Sequence, residues 1–190
     1  MGVFNYEKDN QGIVTVTMDM SGPVNAINAE YNDAMDETVQ RLEKEEGLTG
    51  VIFASAKKVF FAGADLNELV LMDENGSEEL FANGEFIKGH FRRLEKLPVP
   101  VVAAINGAAL GGGYELSLAC NHRIAFNHKS VQIGLPECAI GVYPAGGGVV
   151  RLTKLIGVEK ALDIILKSQR LTPEKALAGG LIDEVVESID

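Results

Sequence analysis

The sequence predicts an α/β protein built as a single domain. Short apolar segments of strand length alternate with longer segments of helical periodicity along the whole chain of 190 residues. No linker or low-complexity segment divides these elements, and glycine clusters stand directly before helical segments at 111–113 and 146–148. A chain of this length suits one domain with a sizeable hydrophobic core.

The N-terminal part contains a strand followed by an amphipathic helix. Alternating apolar and polar residues predict a strand over 13–18. Asn25 or Asn28 can cap the next helix, which runs to Glu46 and stops at Gly47. The apolar residues of this helix recur at helical spacing and predict one inward-facing side, namely Met35, Val39 and Leu42.

The next part alternates extended and helical segments. Residues 51–54 form a short apolar run typical of a buried strand, and 59–62 return to extended structure. A short helix is predicted over 66–72 and a long one over 78–97, which ends at a proline.

The centre of the chain joins a buried strand to a glycine-rich helix start. The strand is predicted over 101–105, an Asn-Gly turn follows, and Gly111, Gly112 and Gly113 precede a helix over 114–119. Backbone N–H groups at a helix start have no partner within the helix and carry the positive end of its dipole. This turn therefore predicts a site for an anion or for developing negative charge, with Glu115 within one helical turn of it.

Two phosphate-binding motifs are excluded at this turn. A P-loop needs a lysine after its glycines, and none follows here. The dinucleotide fingerprint needs a third glycine at the position that Leu116 occupies, counting from Gly111.

The remaining part is predicted to hold further strands and helices in alternation. A second glycine cluster precedes the first of its helices, and Thr172 with Pro173 gives a typical helix start. Strands are predicted over 123–126, 131–133 and 181–186, a loop over 134–137, and helices over 149–156, 158–167 and from 173 onward.

Composition and charge exclude several classes of partner. A net charge of −10 argues against nucleic acid or an anionic membrane as the main partner.

No apolar run is long enough to cross a membrane and the N-terminus does not resemble a secretory signal, so a cytoplasmic location is expected. Cys120 and Cys138 lack metal-binding spacing and are predicted to be buried thiols in a reducing compartment. No metal site is predicted.

Five motifs stand in order and cover nearly the whole chain. They are FAGADL at 61–66, AINGAALGGGYEL at 104–116, GLPE at 134–137, PAGGG at 144–148 before Arg151, and LTPEKA at 171–176 before 180–182. With these motifs the chain resembles the enoyl-CoA hydratase/isomerase, or crotonase, family. Within that family it is most similar to the hydratase segment of multifunctional fatty-acid oxidation proteins, in which a 3-hydroxyacyl-CoA dehydrogenase follows.

The resemblance implies a crotonase-like spiral of ββα units. Residues 1–190 would form a single core domain that lacks the C-terminal helical region of single-function family members. The substrate would be an acyl-CoA thioester, with no separate cofactor. The partners it allows are further copies in a homotrimer, or a fused or associated 3-hydroxyacyl-CoA dehydrogenase.

The resemblance also implies which residues form the site. The N–H groups of Ala64 and Gly112 would receive the thioester oxygen, because addition of water to the conjugated double bond pushes negative charge onto that oxygen. Glu115 would be the general base that activates water, and Glu137 the acid that protonates the α-carbon. Eight further residues would contact the substrate: Val24, Ala26, Ala62, Asp65, Leu66, Gly111, Pro136 and Gly141.

Three functions stay open at this point. Carboxylates at both 115 and 137 favour a hydratase, which must handle water as well as a carbon-bound proton. A Δ3-Δ2-enoyl-CoA isomerase needs one base only. The third alternative is an acyl-CoA-binding module that is inactive when separated from a longer multifunctional chain.

Overall fold

The computed structural model describes residues 3–66, 70 and 76–188. Its strands are β1 (Phe4–Lys8), β2 (Ile13–Met18), β3 (Gly50–Ser55), β4 (Val101–Ile105), β5 (Ala109–Leu110), β6 (His122–Phe126), β7 (Ile133–Gly134) and β8 (Glu184–Val186). Six of them form one sheet in the order β1-β2-β3-β4-β6-β8, in which the β1–β2 pair is antiparallel and the other pairs are parallel. Strands β5 and β7 pair in parallel as a second, small sheet.

Helices follow the strands and cover the sheet. They are α1 (Ala29–Lys44), α2 (Ser77–Glu95), α3 (Gly112–Ala119), α4 (Gly148–Ile156), α5 (Val158–Leu166) and α6 (Pro173–Gly179), with a short 3₁₀ helix at Glu137–Ile140. The fold is therefore α/β and mostly parallel, as the alternation of segments predicts.

The core lies between the sheet and its helices. Along β2 the buried and partly exposed residues alternate, so Val14, Val16 and Met18 face inward, as predicted. In α1 the predicted apolar face is buried, and Asn28 rather than Asn25 caps the helix by accepting a hydrogen bond from the Tyr31 N–H.

Several predicted elements differ from the observed ones. The antiparallel strand β1 and the two-residue strand β5 were not predicted, and β8 is shorter than the strand predicted over 181–186. The prediction that both cysteines are buried is wrong for Cys138, which is partly exposed on the 3₁₀ helix. The helix predicted over 66–72 falls largely outside the described residues.

Two searches of the described residues gave negative results. None of the helices there is long and apolar enough to cross a membrane. No group of three or more His, Cys, Asp or Glu side chains in those residues is placed to hold a metal ion.

Candidate active site

The first part of the site is the peptide group between Gly63 and Ala64. The Gly63 carbonyl accepts a hydrogen bond from the Ile27 N–H at 2.8 Å, and the Asp65 N–H donates to the Ile27 carbonyl at 3.0 Å. In a trans peptide the C=O and N–H point in opposite directions, so the Ala64 N–H points away from Ile27. The positive φ of 102° at Gly63, which favours glycine, turns this peptide. Ala64 is exposed, and no acceptor for its N–H lies among the described residues.

The second part is the peptide group between Gly111 and Gly112. The Gly111 carbonyl accepts hydrogen bonds from the N–H groups of Tyr114 and Glu115, both at 2.9 Å, and so points into α3. The Gly112 N–H therefore points outward from the N-terminus of that helix, where it also meets no acceptor within the described part of the chain.

Close packing brings these two peptide groups to one cleft. A Cβ on Gly63 would lie 3.5 Å from the Gly112 nitrogen, and a Cβ on Gly113 would lie 2.3 Å from the Phe61 carbonyl oxygen. Glycine is thus required at 63 and at 113, where the segment 61–64 packs against the start of α3. The result is a pair of N–H donors, on 64 and 112, beside the positive end of a helix and without an acceptor in the described part of the chain.

Glu115 lies in the first turn of α3 and is 3% exposed. Its Oε1 accepts a hydrogen bond from the Gly148 N–H at 2.7 Å. Burial raises the pKa of Glu115, while the N–H groups of Gly148 and Gly146 act in the opposite direction by stabilising the carboxylate.

Glycines at 146 and 148 are needed for this contact. A Cβ on Gly146 would lie 2.6 Å from Glu115 Oε2, and one on Gly148 would lie 2.9 Å from Oε1. The second glycine cluster therefore forms a backbone cradle around the buried carboxyl group.

Glu137 opens the 3₁₀ helix beside the first glycine turn. A Cβ on Gly111 would lie 3.3 Å from Glu137 Oε1, which places this carboxyl group against the residue that precedes the Gly112 N–H. Its Oε2 is buried and has no hydrogen-bond partner among the described residues. Burial raises the pKa of Glu137 to about 7, and the negative charge of Glu115 acts in the same direction.

Four of the predicted site residues thus lie around one cleft: Ala64, Gly112, Glu115 and Glu137. Peptide N–H groups at a helix start can stabilise negative charge on a bound oxygen, and the charge of Glu115 acts on the carboxyl group of Glu137. The roles assigned to these residues remain predictions.

The predicted substrate-contact residues differ in their exposure and in whether they contact the other site residues. Gly111 is buried and lies against Glu137, while Pro136 is half-buried directly before it. Two of the others are exposed, namely Ala62 and Leu66, and three are partly or fully buried, namely Asp65, Val24 and Ala26. Gly141 is exposed and ends the 3₁₀ helix with a positive φ. The structure shows no contact that brings Val24 or Gly141 to the unpaired N–H groups.

Asn25 supports the cleft in a way that the sequence did not reveal. It is completely buried, and its amide donates to the carbonyls of Met18 and Phe60 and to Ser55 Oγ, while its Oδ1 accepts from the Met20 N–H. Its main-chain carbonyl also accepts from the Ala62 N–H at 2.8 Å. Asn25 therefore fixes both ends of the segment that leads to the Gly63–Ala64 peptide.

Replacing Asn25 with alanine is expected to lower the free energy of unfolding by about 2–4 kcal/mol, because it leaves several buried polar groups unpaired. Urea unfolding followed by circular dichroism measures this effect. The exposed Asn5, whose side-chain amide donates to Glu7 at the surface, gives a matched control as Asn5→Ala. Equal stability of the two variants would contradict the supporting role of Asn25.

A separate concavity lies elsewhere on the molecule. A cavity of about 800 Å³ is open to solvent beside α5 and α6, and its lining includes Leu162, Leu166 and Leu171. Its lining includes none of Ala64, Gly112, Glu115 and Glu137, so it is not the candidate active site.

The fold and the site together define an α/β protein in which a glycine-rich helix start lies beside a buried glutamate, Glu115, and a half-buried one, Glu137. The enoyl-CoA hydratase/isomerase family matches residues 8–190 of this chain. The chain therefore belongs to the enoyl-CoA hydratase/isomerase family.

Sequence relatives are subunits of larger proteins. The chain is 39% identical over 190 residues to the fatty acid oxidation complex subunit alpha of Shewanella halifaxensis, covering 98% of this chain and 26% of that subunit. The corresponding subunit of a Psychrobacter species is 42% identical over 182 residues, covering 95% and 25%. The chain thus spans about a quarter of the length of these curated relatives.

Solved structures agree on the crotonase fold. The enoyl-CoA hydratase of Bacillus anthracis superposes with a TM-score of 0.89 at 33% identity, covering 97% of this chain and 70% of that one. The enoyl-CoA hydratase of Thermoplasma volcanium gives a TM-score of 0.90 at 29% identity, covering 99% and 73%.

Proposed function

We propose that this chain hydrates 2-enoyl-CoA thioesters to 3-hydroxyacyl-CoA thioesters in the β-oxidation of fatty acids. The observation that carries the proposal is the grouping of the Ala64 and Gly112 N–H groups, which meet no acceptor among the described residues, with Glu115 and Glu137. The names of its relatives, a fatty acid oxidation complex subunit and enoyl-CoA hydratases, support this choice within the family.

The two N–H groups would stabilise the charge that hydration creates. When the oxygen of water attacks carbon 3, the electron pair of the double bond moves toward the thioester and its oxygen becomes negative. Donors fixed in place before the reaction stabilise such an oxyanion without the cost of reorganisation, and one donor is typically worth about 10²–10³ in rate.

The two glutamates would carry the protons. In our proposal the carboxylate of Glu115 takes a proton from water as the C–O bond forms. Glu137 in its protonated form then donates its proton to carbon 2 of the enolate. Exchange of a proton between the two carboxyl groups, directly or through water, restores the starting state.

The pH dependence of kcat/KM follows from the proton on Glu137. Its pKa of about 7 means that the carboxyl group is protonated below neutral pH and ionised above it. Because the proposed acid must be protonated, kcat/KM for hydration is expected to fall as the pH rises through about 7. Initial rates measured across neutral pH check this, and in Glu137→Gln the residual rate should lose this descending limb. A rate that does not fall above neutral pH would contradict the role of Glu137 as the acid.

Incubation of the purified chain with crotonyl-CoA tests the proposed function directly. The expected product is the thioester with one added water, detected by mass spectrometry and by loss of the ultraviolet absorbance of the conjugated thioester. Binding of acetoacetyl-CoA in calorimetric titration without turnover of crotonyl-CoA would instead support an acyl-CoA-binding module.

A Δ3-Δ2 isomerase is the second candidate function. Its support is the half-buried carboxyl group of Glu137, whose Oε2 has no partner among the described residues and whose raised pKa suits it to accept and return a proton. Isomerisation of a 3-enoyl-CoA that survives Glu115→Ala would favour this reaction, since a single base suffices for it.

The partners belong to the same proposal. Because the relatives are about four times as long as the region they share with this chain, a fused or associated 3-hydroxyacyl-CoA dehydrogenase would receive the 3-hydroxyacyl product. A homotrimer of hydratase units is the alternative assembly. Sedimentation of the purified chain, alone and with a candidate dehydrogenase, distinguishes the two.

A further inference from the structure

Arg151 links two helices behind the proposed base. It lies on α4 with its side chain only 15% exposed. Its Nε donates to Oε1 of Glu95, at the end of α2, at 2.7 Å, and its Nη1 donates to the Gly146 carbonyl at 2.9 Å. The guanidinium also lies 5.8 Å from the ring centre of Phe91 on α2.

The Gly146 carbonyl that Arg151 holds belongs to the loop that cradles Glu115. Gly148, two residues further on, donates its N–H to Glu115 Oε1 at 2.7 Å. Between them Gly147 has a φ of 102°, and a Cβ there would lie 2.3 Å from Arg151 Nη1. The loop 146–148 is thus packed between the Arg151 guanidinium and the Glu115 carboxyl group.

We propose that Arg151, oriented by Glu95, is a positioning residue that fixes the loop 146–148 so that its N–H groups hold the Glu115 carboxylate in the reactive orientation. This inference rests on the proposed function, in which Glu115 activates water. The planar guanidinium bonds to the Glu95 carboxylate through Nε and to the Gly146 carbonyl through Nη1, so a rigid group sets the distance between them. The flexible lysine side chain ends in a single nitrogen and does not reproduce this geometry.

Arg151 also acts on Glu115 through its charge. Its positive charge favours the ionised carboxylate, as does that of Lys88 on α2, whereas the carboxyl group of Glu137 has the opposite effect when ionised. Removing the charge at 151 while Lys88 and Glu137 are retained therefore makes the proposed base harder to ionise.

The experiment compares Arg151→Met, Arg151→Lys and Arg92→Met in hydration of crotonyl-CoA. Arg92 is the matched control, because it pairs with the other oxygen of Glu95 at 3.0 Å, is 64% exposed and makes no contact with the loop. For Arg151→Met we expect kcat to fall by about 10- to 100-fold with KM changed less than about threefold, since a small displacement of a reacting group has effects of this size. The acidic limb of the kcat profile, where kcat falls as the pH is lowered, should also move to higher pH, because the proposed base is then harder to ionise.

The lysine variant separates charge from geometry. Arg151→Lys should return the acidic limb to its wild-type pH but keep a lowered kcat, and Arg92→Met should leave both unchanged. A merely structural role would lower the melting temperature without moving the limb. If Arg151→Met does not fold, Arg151→Lys decides the question alone, because a wild-type kcat in that variant would overturn the proposal.

Failure of this inference can be distinguished from failure of the proposed function. If Glu115→Gln hydrates crotonyl-CoA at the wild-type rate, the function assigned to Glu115 is wrong and the positioning role falls with it. If Glu115→Gln is inactive while Arg151→Met behaves like Arg92→Met, only the positioning role is overturned.

Discussion

Replacing Glu115 or Glu137 with glutamine is expected to lower the rate of crotonyl-CoA hydration by about 10²–10⁴, the usual contribution of a general acid or base. Glutamine keeps the shape of the side chain but can neither take a proton from water nor deliver one to carbon. Glu115→Gln would also place an amide in the cradle in which the Gly148 N–H now bonds to a carboxylate oxygen. Steady-state kinetics with purified variants measures the loss.

Glu174→Gln is the matched control for these two variants. Glu174 also lies in the first turn of a helix, α6, but is exposed and far from the cleft in sequence. Its replacement should leave the rate unchanged. Wild-type rates in both Glu115→Gln and Glu137→Gln would refute the two-carboxylate mechanism, and loss in Glu137→Gln alone would show that Glu115 is not the base.

Replacing Ala64 with proline is expected to lower kcat for hydration by about 10²–10³, the typical effect of losing one oxyanion donor. Proline removes the N–H of residue 64 and no other main-chain donor. That N–H has no acceptor among the described residues, so its removal breaks none of the hydrogen bonds described for the folded chain. The measurement is kcat for crotonyl-CoA, with the affinity for acetoacetyl-CoA as a second readout.

Ala64→Ser serves as the control for this test, because it changes the exposed side chain and retains the main-chain donor. Thermal unfolding followed by circular dichroism checks that Ala64→Pro keeps the fold. A folded Ala64→Pro variant with the wild-type kcat would show that the peptide nitrogen of residue 64 does not contact the reacting thioester.

Much of the fold was predictable because its elements have strong local signals. The alternation in β2 and the capping residue of α1 both act within a few residues, and both were found where predicted. Strand β1 was missed because its residues, FNYEK, are largely polar and its pairing with β2 is what makes it a strand. Strand β5 has two residues and carries no periodicity at all.

The candidate site was predictable in part for the same reason. The glycine turn and Glu115 are neighbours in the sequence, so physical reasoning alone placed a carboxylate near an anion site. The cradle for Glu115 is formed by Gly148, 33 residues away, and the bond from Arg151 to Glu95 joins residues 56 apart. Local patterns contain no information about such contacts, and only a family resemblance or a three-dimensional structure reveals them.

In the proposed function, the part of the site that stabilises charge consists of peptide groups rather than side chains. Every amino acid except proline supplies the same N–H, so the chemical identity of this part is protected from most point mutations, provided that the turns at Gly63 and Gly111 are kept. Selection is then free to vary the acidic groups and the cleft walls around an unchanged electrostatic centre, which allows one scaffold to acquire new reactions of thioesters while keeping its means of holding an enolate.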